Sequence, residues 1–113
     1  MPFRAVPTVD AFLQEAAAFT GVFCFSDYGV LELYGKASSL GLTIPGDISV
    51  VEYDNMGFLR FLTPRPTTIH QFKKELGQTA AQLLMWILQG EKLAGHHDRF
   101  LPKMIWGDRV RYR

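Results

Sequence analysis

The stretch Ile44-Pro-Gly-Asp-Ile-Ser-Val-Val-Glu-Tyr-Asp-Asn55 decides how this chain is read. Within it, Ile48, Val50, Val51 and Tyr53 make a run rich in β-branched and aromatic residues. The run is too continuous for a strand with one wet face, so it predicts a strand covered on both faces, as in a parallel sheet. It stops abruptly on a carboxylate and an amide, Asp54 and Asn55. Open parallel sheets bind ligands beyond the carboxyl ends of their strands, and these two residues fall there.

Upstream, Val22 to Phe25 is a second strand signal, ending on Ser26 and Asp27 before a helical pattern begins. Val30, Leu33, Tyr34, Ala37 and Leu40 recur at spacings of three and four, the signature of an amphipathic helix. Asp27 is placed to cap its start and Gly41 to end it. Strand, helix and strand form a βαβ unit, whose crossover is expected to be right-handed.

These residues resemble the effector-binding domain of the LacI/GalR family of bacterial transcriptional repressors. Three blocks carry the resemblance, in the family's order and spacing, over about residues 19–90. The first is Gly21-Val-Phe-Cys-Phe-Ser-Asp27, followed by the helix and Leu40-Gly41-Leu42. The second is the opening stretch, similar to the family's Pro-Glu-Asp-Ile-Ser-Val-Val-Gly-Phe/Tyr-Asp-Asp/Asn. The third is Leu62-Thr-Pro-Arg-Pro-Thr-Thr-Ile-His-Gln71 with Leu76, Gly77 and Ala80, closest to the purine-repressor branch. The chain departs from the pattern at Ser26, Val30 and Glu32, where the family usually has Asn, Ala and Gly. It departs again at Glu52, which stands where the family has Gly, and at Phe72, which replaces Pro.

The resemblance implies an α/β fold: a three-layer parallel-sheet subdomain of the periplasmic-binding-protein-like type I fold, truncated. It implies a ligand-sensing and dimerisation part of a regulator that takes a small sugar or purine effector. Asp54, Ser26 and Asp27 would line the effector cleft, Ser26 with shorter reach than the family's Asn, and Asp27 reading first as a helix cap. Leu31, Tyr34, Phe61 and Leu62 would lie at a homodimer interface. DNA would be reached only through an N-terminal domain that the matching region does not include, and no cofactor is implied. The alternative is a non-sensing interaction module that dimerises with itself or with relatives.

At 113 residues and 48% hydrophobic, the chain has material for one domain with one modest core. Twelve basic and 11 acidic residues leave a net charge of +1, too little field to hold a polyanion. Arg109, Arg111 and Arg113 around Tyr112 form the one basic cluster, which reads as a solvated terminus rather than a phosphate clamp. Met1-Pro-Phe-Arg-Ala-Val-Pro7 is not followed by the long apolar core of a secretory signal, and no stretch reaches membrane-spanning length. A single Cys24 excludes an intrachain disulfide, suits a reducing cytoplasm and reads as a small core residue.

Further along, Thr8 can cap a helix from Val9 to Phe19, with Asp10 in its first turn. Phe58, Leu59, Phe61 and Leu62 are too apolar for a free loop, so something should cover them. Thr67 to Ile69 reads as a short strand. Phe72, Leu76, Ala80, Leu83, Leu84, Ile87 and Leu88 then keep helical spacing through about five turns to Gly90. Leu101 and Met104 to Trp106 offer a last strand, interrupted by Pro102.

Asp54 is the leading site candidate, because a carboxylate at a strand end can accept hydrogen bonds from several ligand hydroxyls or ring N–H groups. The competing reading is that it caps the following turn. His96-His97-Asp98 offers metal-ligand types, but adjacent strand histidines would point apart and no further ligand has a supporting spacing, so a polar surface turn is favoured. His70 could wall a pocket or sit at a hinge, with a satisfied structural histidine favoured. Gly-x-Ser-x-Gly, Walker and Gly-x-Gly-x-x-Gly loops are absent, so no enzyme is expected. Fold alone does not exclude one, since doubly wound sheets also occur in flavoproteins and receiver domains. Ser26-Asp27-Tyr28-Gly29 is nevertheless a poor phosphate loop.

Overall fold

The computed structural model describes residues 3–108; the basic cluster Arg109, Arg111 and Arg113 lies outside them. The chain divides into two compact units. One runs to His70 and resumes at Met104, and the other is Gln71–Lys103.

The first unit is built on a mostly parallel sheet. Strands β1 (Gly21–Cys24), β2 (Ser49–Asp54), β3 (Thr67–His70) and β4 (Lys103–Ile105) lie in the order β1-β2-β3-β4. β2 pairs in parallel with both β1 and β3, in a register that sets Cys24 and Thr68 on either side of Glu52 and His70 beside Asp54. Parallel neighbours need a long crossover, and α2 (Asp27–Ser39) supplies it between β1 and β2. Its Val30, Leu33 and Ala37 are 0–1% exposed, so the three-and-four spacing does mark the buried face. Leu40 falls outside the helix, at its C-cap, and is 61% exposed.

Gly41 ends α2 as its position predicts. With φ at 72° it takes a left-handed conformation that costs a side-chain-bearing residue more. There its own N–H reaches the Ser38 carbonyl and the Leu42 N–H reaches that of Ala37. The start of α2 differs from expectation. Ser26, not Asp27, is the N-cap: its Oγ accepts from the Gly29 N–H at 3.4 Å, while Asp27 is the first helical residue and is fully buried.

The first helix is shorter than its pattern suggests. α1 covers Val9–Gln14, capped by Thr8 Oγ1 accepting from the Ala11 N–H at 3.1 Å, and a separate 3-10 turn follows at Ala16–Ala18. The cause is a run of contacts to the third residue back, from Glu15 to Phe12, Ala18 to Glu15 and Phe19 to Ala16. Phe12 and Ala16 are both buried. Lys36 bridges Asp10 at 2.7 Å and Glu32 at 2.6 Å, joining α1 to α2 on the surface.

Phe12, Ala16, Cys24, Val30, Leu33, Ile48, Val50 and Leu59 form the buried cluster. β2 contributes to it from one side only. Val50 and Glu52 are fully buried, whereas Val51 and Tyr53 on the opposite face are half-buried, so the strand is not sealed on both faces as its apolar run predicts. The apolar segment after β2 folds as a 3-10 turn, Gly57–Phe61, that drives Leu59 inside and leaves Phe61 76% exposed.

In the second unit, α3 (Lys73–Leu88) occupies the long helical pattern, and Gly90, with φ at 87°, ends it as Gly41 ends α2. No residue of α3 is buried. His96 bonds Asp98 at 2.9 Å across a turn and sets its ring edge-on to Trp86.

Leu59 and Phe61 make a matched pair for testing this packing. Leu59→Ala should destabilise the chain by about 2–5 kcal/mol in denaturant unfolding. Phe61→Ala should shift it by no more than about 0.5 kcal/mol. Equal effects would contradict the placement.

Candidate functional site at the carboxyl ends of the strands

Parallel pairing brings the carboxyl ends of β1, β2 and β3 to one edge of the sheet. Ser26 and Asp27 follow β1, Asp54 closes β2 and Asn55 extends it, and His70 closes β3. Asp54 and His70 are partners in register, and Asn55 Nδ2 lies 3.1 Å from His70 Nδ1. The structure thus gathers Ser26, Asp54, Asn55 and His70, all partly exposed, at one place.

The backbone at this edge is unusual. Asp54 has φ at 130° and Asn55 at 54°. Asparagine visits the left-handed region more readily than most residues, but aspartate at 130° is strained. Such conformations cost on the order of 1–3 kcal/mol each and persist only where surroundings impose them. Here Asp27 imposes them in part: its Oδ2 accepts the Met56 N–H, fastening the far side of the turn to the start of α2.

Asp27 is 0% exposed and so stands behind the site rather than in it. Ser26 Oγ is engaged in the helix cap. Asp54 is half-buried at the edge, where its carboxylate can accept hydrogen bonds from a polyol or a ring N–H. Of the four residues placed at an interface by resemblance, Leu31 and Phe61 are exposed, at 47% and 76%. Tyr34 donates its O–H to the Pro64 carbonyl at 2.9 Å, and both Tyr34 and Leu62 lie against the core cluster.

Sequence reasoning noted Glu52 only as a departure from a pattern. The structure makes it a member of the site's foundation, fully buried behind Asp54 and beside Asp27. Burial, foremost, and the neighbouring Asp27 carboxyl push its pKa up to about 9. The available signal was a carboxylate inside the strand's apolar run; its partner, 25 positions earlier, had no local mark. Among the described residues, no group of three or more His, Cys, Asp or Glu side chains is arranged to hold a metal ion. No helix among them is long and apolar enough to cross a membrane. An open hollow in the second unit, lined by Trp86, Glu91 and Leu93, contains none of the candidate residues.

Comparison with known proteins follows the same geometry. Residues 4–108 match the periplasmic binding protein-like domain family. The chain is 35% identical over 100 residues to the HTH-type transcriptional repressor PurR of Aliivibrio salmonicida, covering 88% of this chain and 29% of that repressor. It is 41% identical over 86 residues to PurR of Pectobacterium atrosepticum, covering 76% of this chain and 25% of the repressor. Among solved structures, a LacI family transcriptional regulator from Enterococcus faecium with bound ribose superposes with a TM-score of 0.75 at 32% identity. That match covers 88% of this chain and 37% of that one. The transcription regulator CcpA of Lactococcus lactis shares the fold, with a TM-score of 0.81 at 16% identity over 91% of this chain and 37% of its own. The chain therefore spans between a quarter and two fifths of these relatives' length. With its parallel strand pairing, its strand-end site and a family match along nearly its whole length, the chain belongs to the periplasmic binding protein-like domain family.

Proposed function

We propose that this chain is the ligand-sensing and dimerisation part of a LacI-type bacterial transcriptional regulator, acting in the cytoplasm and contributing one wall of a cleft for a small sugar or purine. The observation that carries this reading is the strained turn that holds Asp54 at the carboxyl edge of the parallel sheet. Asp54 accepts hydrogen bonds from the effector, Ser26 flanks it from β1, and Asp27 anchors the turn from behind. Relatives support the effector class: one solved structure carries ribose, and two PurR repressors are 35% and 41% identical to the chain over the matched residues. Contact with DNA would come through a helix-turn-helix region joined to this part, and no catalytic step is assigned.

A cleft of this type buries its ligand from two sides, and the 113-residue chain by itself offers one. Calorimetric titration of the chain alone with pentoses, hexoses and purine bases should give a Kd weaker than about 1 mM, equivalent to less than about 4 kcal/mol of binding. A micromolar isotherm would refute the one-wall reading. The role of Asp54 is tested in a chimera carrying about residues 19–90 of this chain in place of the matching segment of the Pectobacterium atrosepticum repressor. Asp54→Ala should weaken effector binding by roughly 10- to 100-fold, the value of a hydrogen bond to a charged group. Unchanged affinity would sink the sensing role.

A second reading, a non-sensing interaction module, draws on a different observation. β1 is an edge strand, Phe23 and Phe25 are 54% and 90% exposed, and Leu31 and Phe61 stand open on the surface. An unpaired strand edge beside apolar side chains recruits further chains. Light scattering across a dilution series should therefore show a homodimer or larger assembly, whereas a stable monomer at micromolar concentration would oppose it. Leu31→Glu combined with Phe61→Glu, both at exposed positions, should dissociate a family-type dimer and spare one made by β1 edge pairing.

A further inference from the structure

A row of polar side chains crosses the buried face of the sheet. Glu52 on β2 is flanked in register by Cys24 on β1 and Thr68 on β3, and the three are 0%, 8% and 1% exposed. Asp27, at the first position of α2, adds a second fully buried carboxyl. Counted as ionised groups, Glu52 Oε1 and Oε2 and Asp27 Oδ1 have no hydrogen-bond partner, and neither has Thr68 Oγ1.

Two bare carboxylates are a poor arrangement in such a place. Asp27 Oδ1 and the Glu52 oxygens are short of donors, and like charges repel strongly where water is excluded. A single proton removes both faults, because a neutral carboxyl donates as well as accepts. The groups facing Glu52 favour that proton. Burial acts first, then Asp27 from α2 as hydrogen-bond partner and as charge, with Asp54 at the end of β2 adding its own charge. Only the backbone N–H of Asn55 pulls toward the ionised form. β1 presents the Cys24 thiol, itself pushed up to about 11 by burial and by the charge of Glu52, and β3 presents the uncharged Thr68 hydroxyl. Among the described residues, no lysine, arginine or histidine acts on Glu52 or Cys24.

We propose that Asp27 and Glu52 share one proton in the folded chain, Glu52 donating its carboxyl O–H to Asp27, and that this clip fixes the turn bearing Asp54. The other Asp27 oxygen already accepts the Met56 N–H, so the clip ties the start of α2, the body of β2 and the turn beyond it into one unit. It holds Asp54 and Asn55 in their positive-φ conformations. Glu52 is a positioning residue that acts through Asp27 and touches no ligand.

Proton linkage gives the sign of the effect. Folding raises the Glu52 carboxyl from its ordinary 4.5 to about 9. Between those values the unfolded chain has released a proton that the folded chain retains, so stability falls as pH rises. The contribution is complete below about pH 4.5 and gone above about pH 9.

Thermal unfolding of the full chain and of Glu52→Gln, compared from about pH 5 to about pH 9, tests the proposal. Glutamine keeps the shape and a donor but cannot ionise, so the wild type should melt progressively lower than the variant as pH rises. A difference that stays constant across the range would overturn the shared proton. Infrared spectroscopy of the wild type at neutral pH gives a readout that does not depend on the variant folding. The carbonyl stretch of a protonated carboxylic acid should be present, and its absence would overturn the proposal outright.

Discussion

Everything in the first unit depends on β2 being paired in parallel on both sides. A parallel pair cannot be closed by a tight turn, so the chain must leave the sheet and return, and α2 is the return path between β1 and β2. Once α2 lies over the sheet, Val30 and Leu33 join Cys24 and Val50 in the buried cluster, and the core is defined. The same pairing brings three strand ends to one edge. Core and site are thus two consequences of one hydrogen-bonding arrangement.

The polar groups inside that arrangement connect the two. Asp27 belongs to the core by burial and to the site by its bond to the Met56 N–H. Glu52 sits two residues beyond Val50 on the same buried face and two before Asp54, so a change in its charge is felt both by the packing and by the turn. A buried glutamate costs stability unless its carboxyl is kept neutral and hydrogen-bonded. A rigid turn for Asp54 is what that arrangement secures.

The surface shows a complementary feature. Phe23, Phe25 and Phe61 are exposed in the first unit, and Leu76, Leu84, Met85, Ile87 and Leu88 of α3 are each more than half exposed. Monomeric proteins seldom present so many large apolar groups without a partner surface. The chain spans 25–29% of the two PurR repressors it matches.

The sequence by itself determined those features that depend on neighbours a few residues away. The spacing of Val30, Leu33 and Ala37 marked the buried face of α2, the conformational freedom of Gly41 and Gly90 marked two helix ends, and β-branched residues marked β2. The family blocks also placed Asp54 at a strand end. Tertiary structure decided what depends on residues far apart. It showed that β2 is fully buried on one face and half-buried on the other, because a strand's own residues carry no record of which layer lies above them. It made Ser26 the cap and turned Asp27 inward, since the Met56 N–H that Asp27 satisfies is 29 positions away. It broke the first helix at Gln14 into a tighter turn, with Phe12 and Ala16 both buried. Above all it brought Glu52 against Asp27: either carboxylate alone reads as an ordinary polar residue, and only their approach across the sheet, in the absence of water, gives them a shared chemistry.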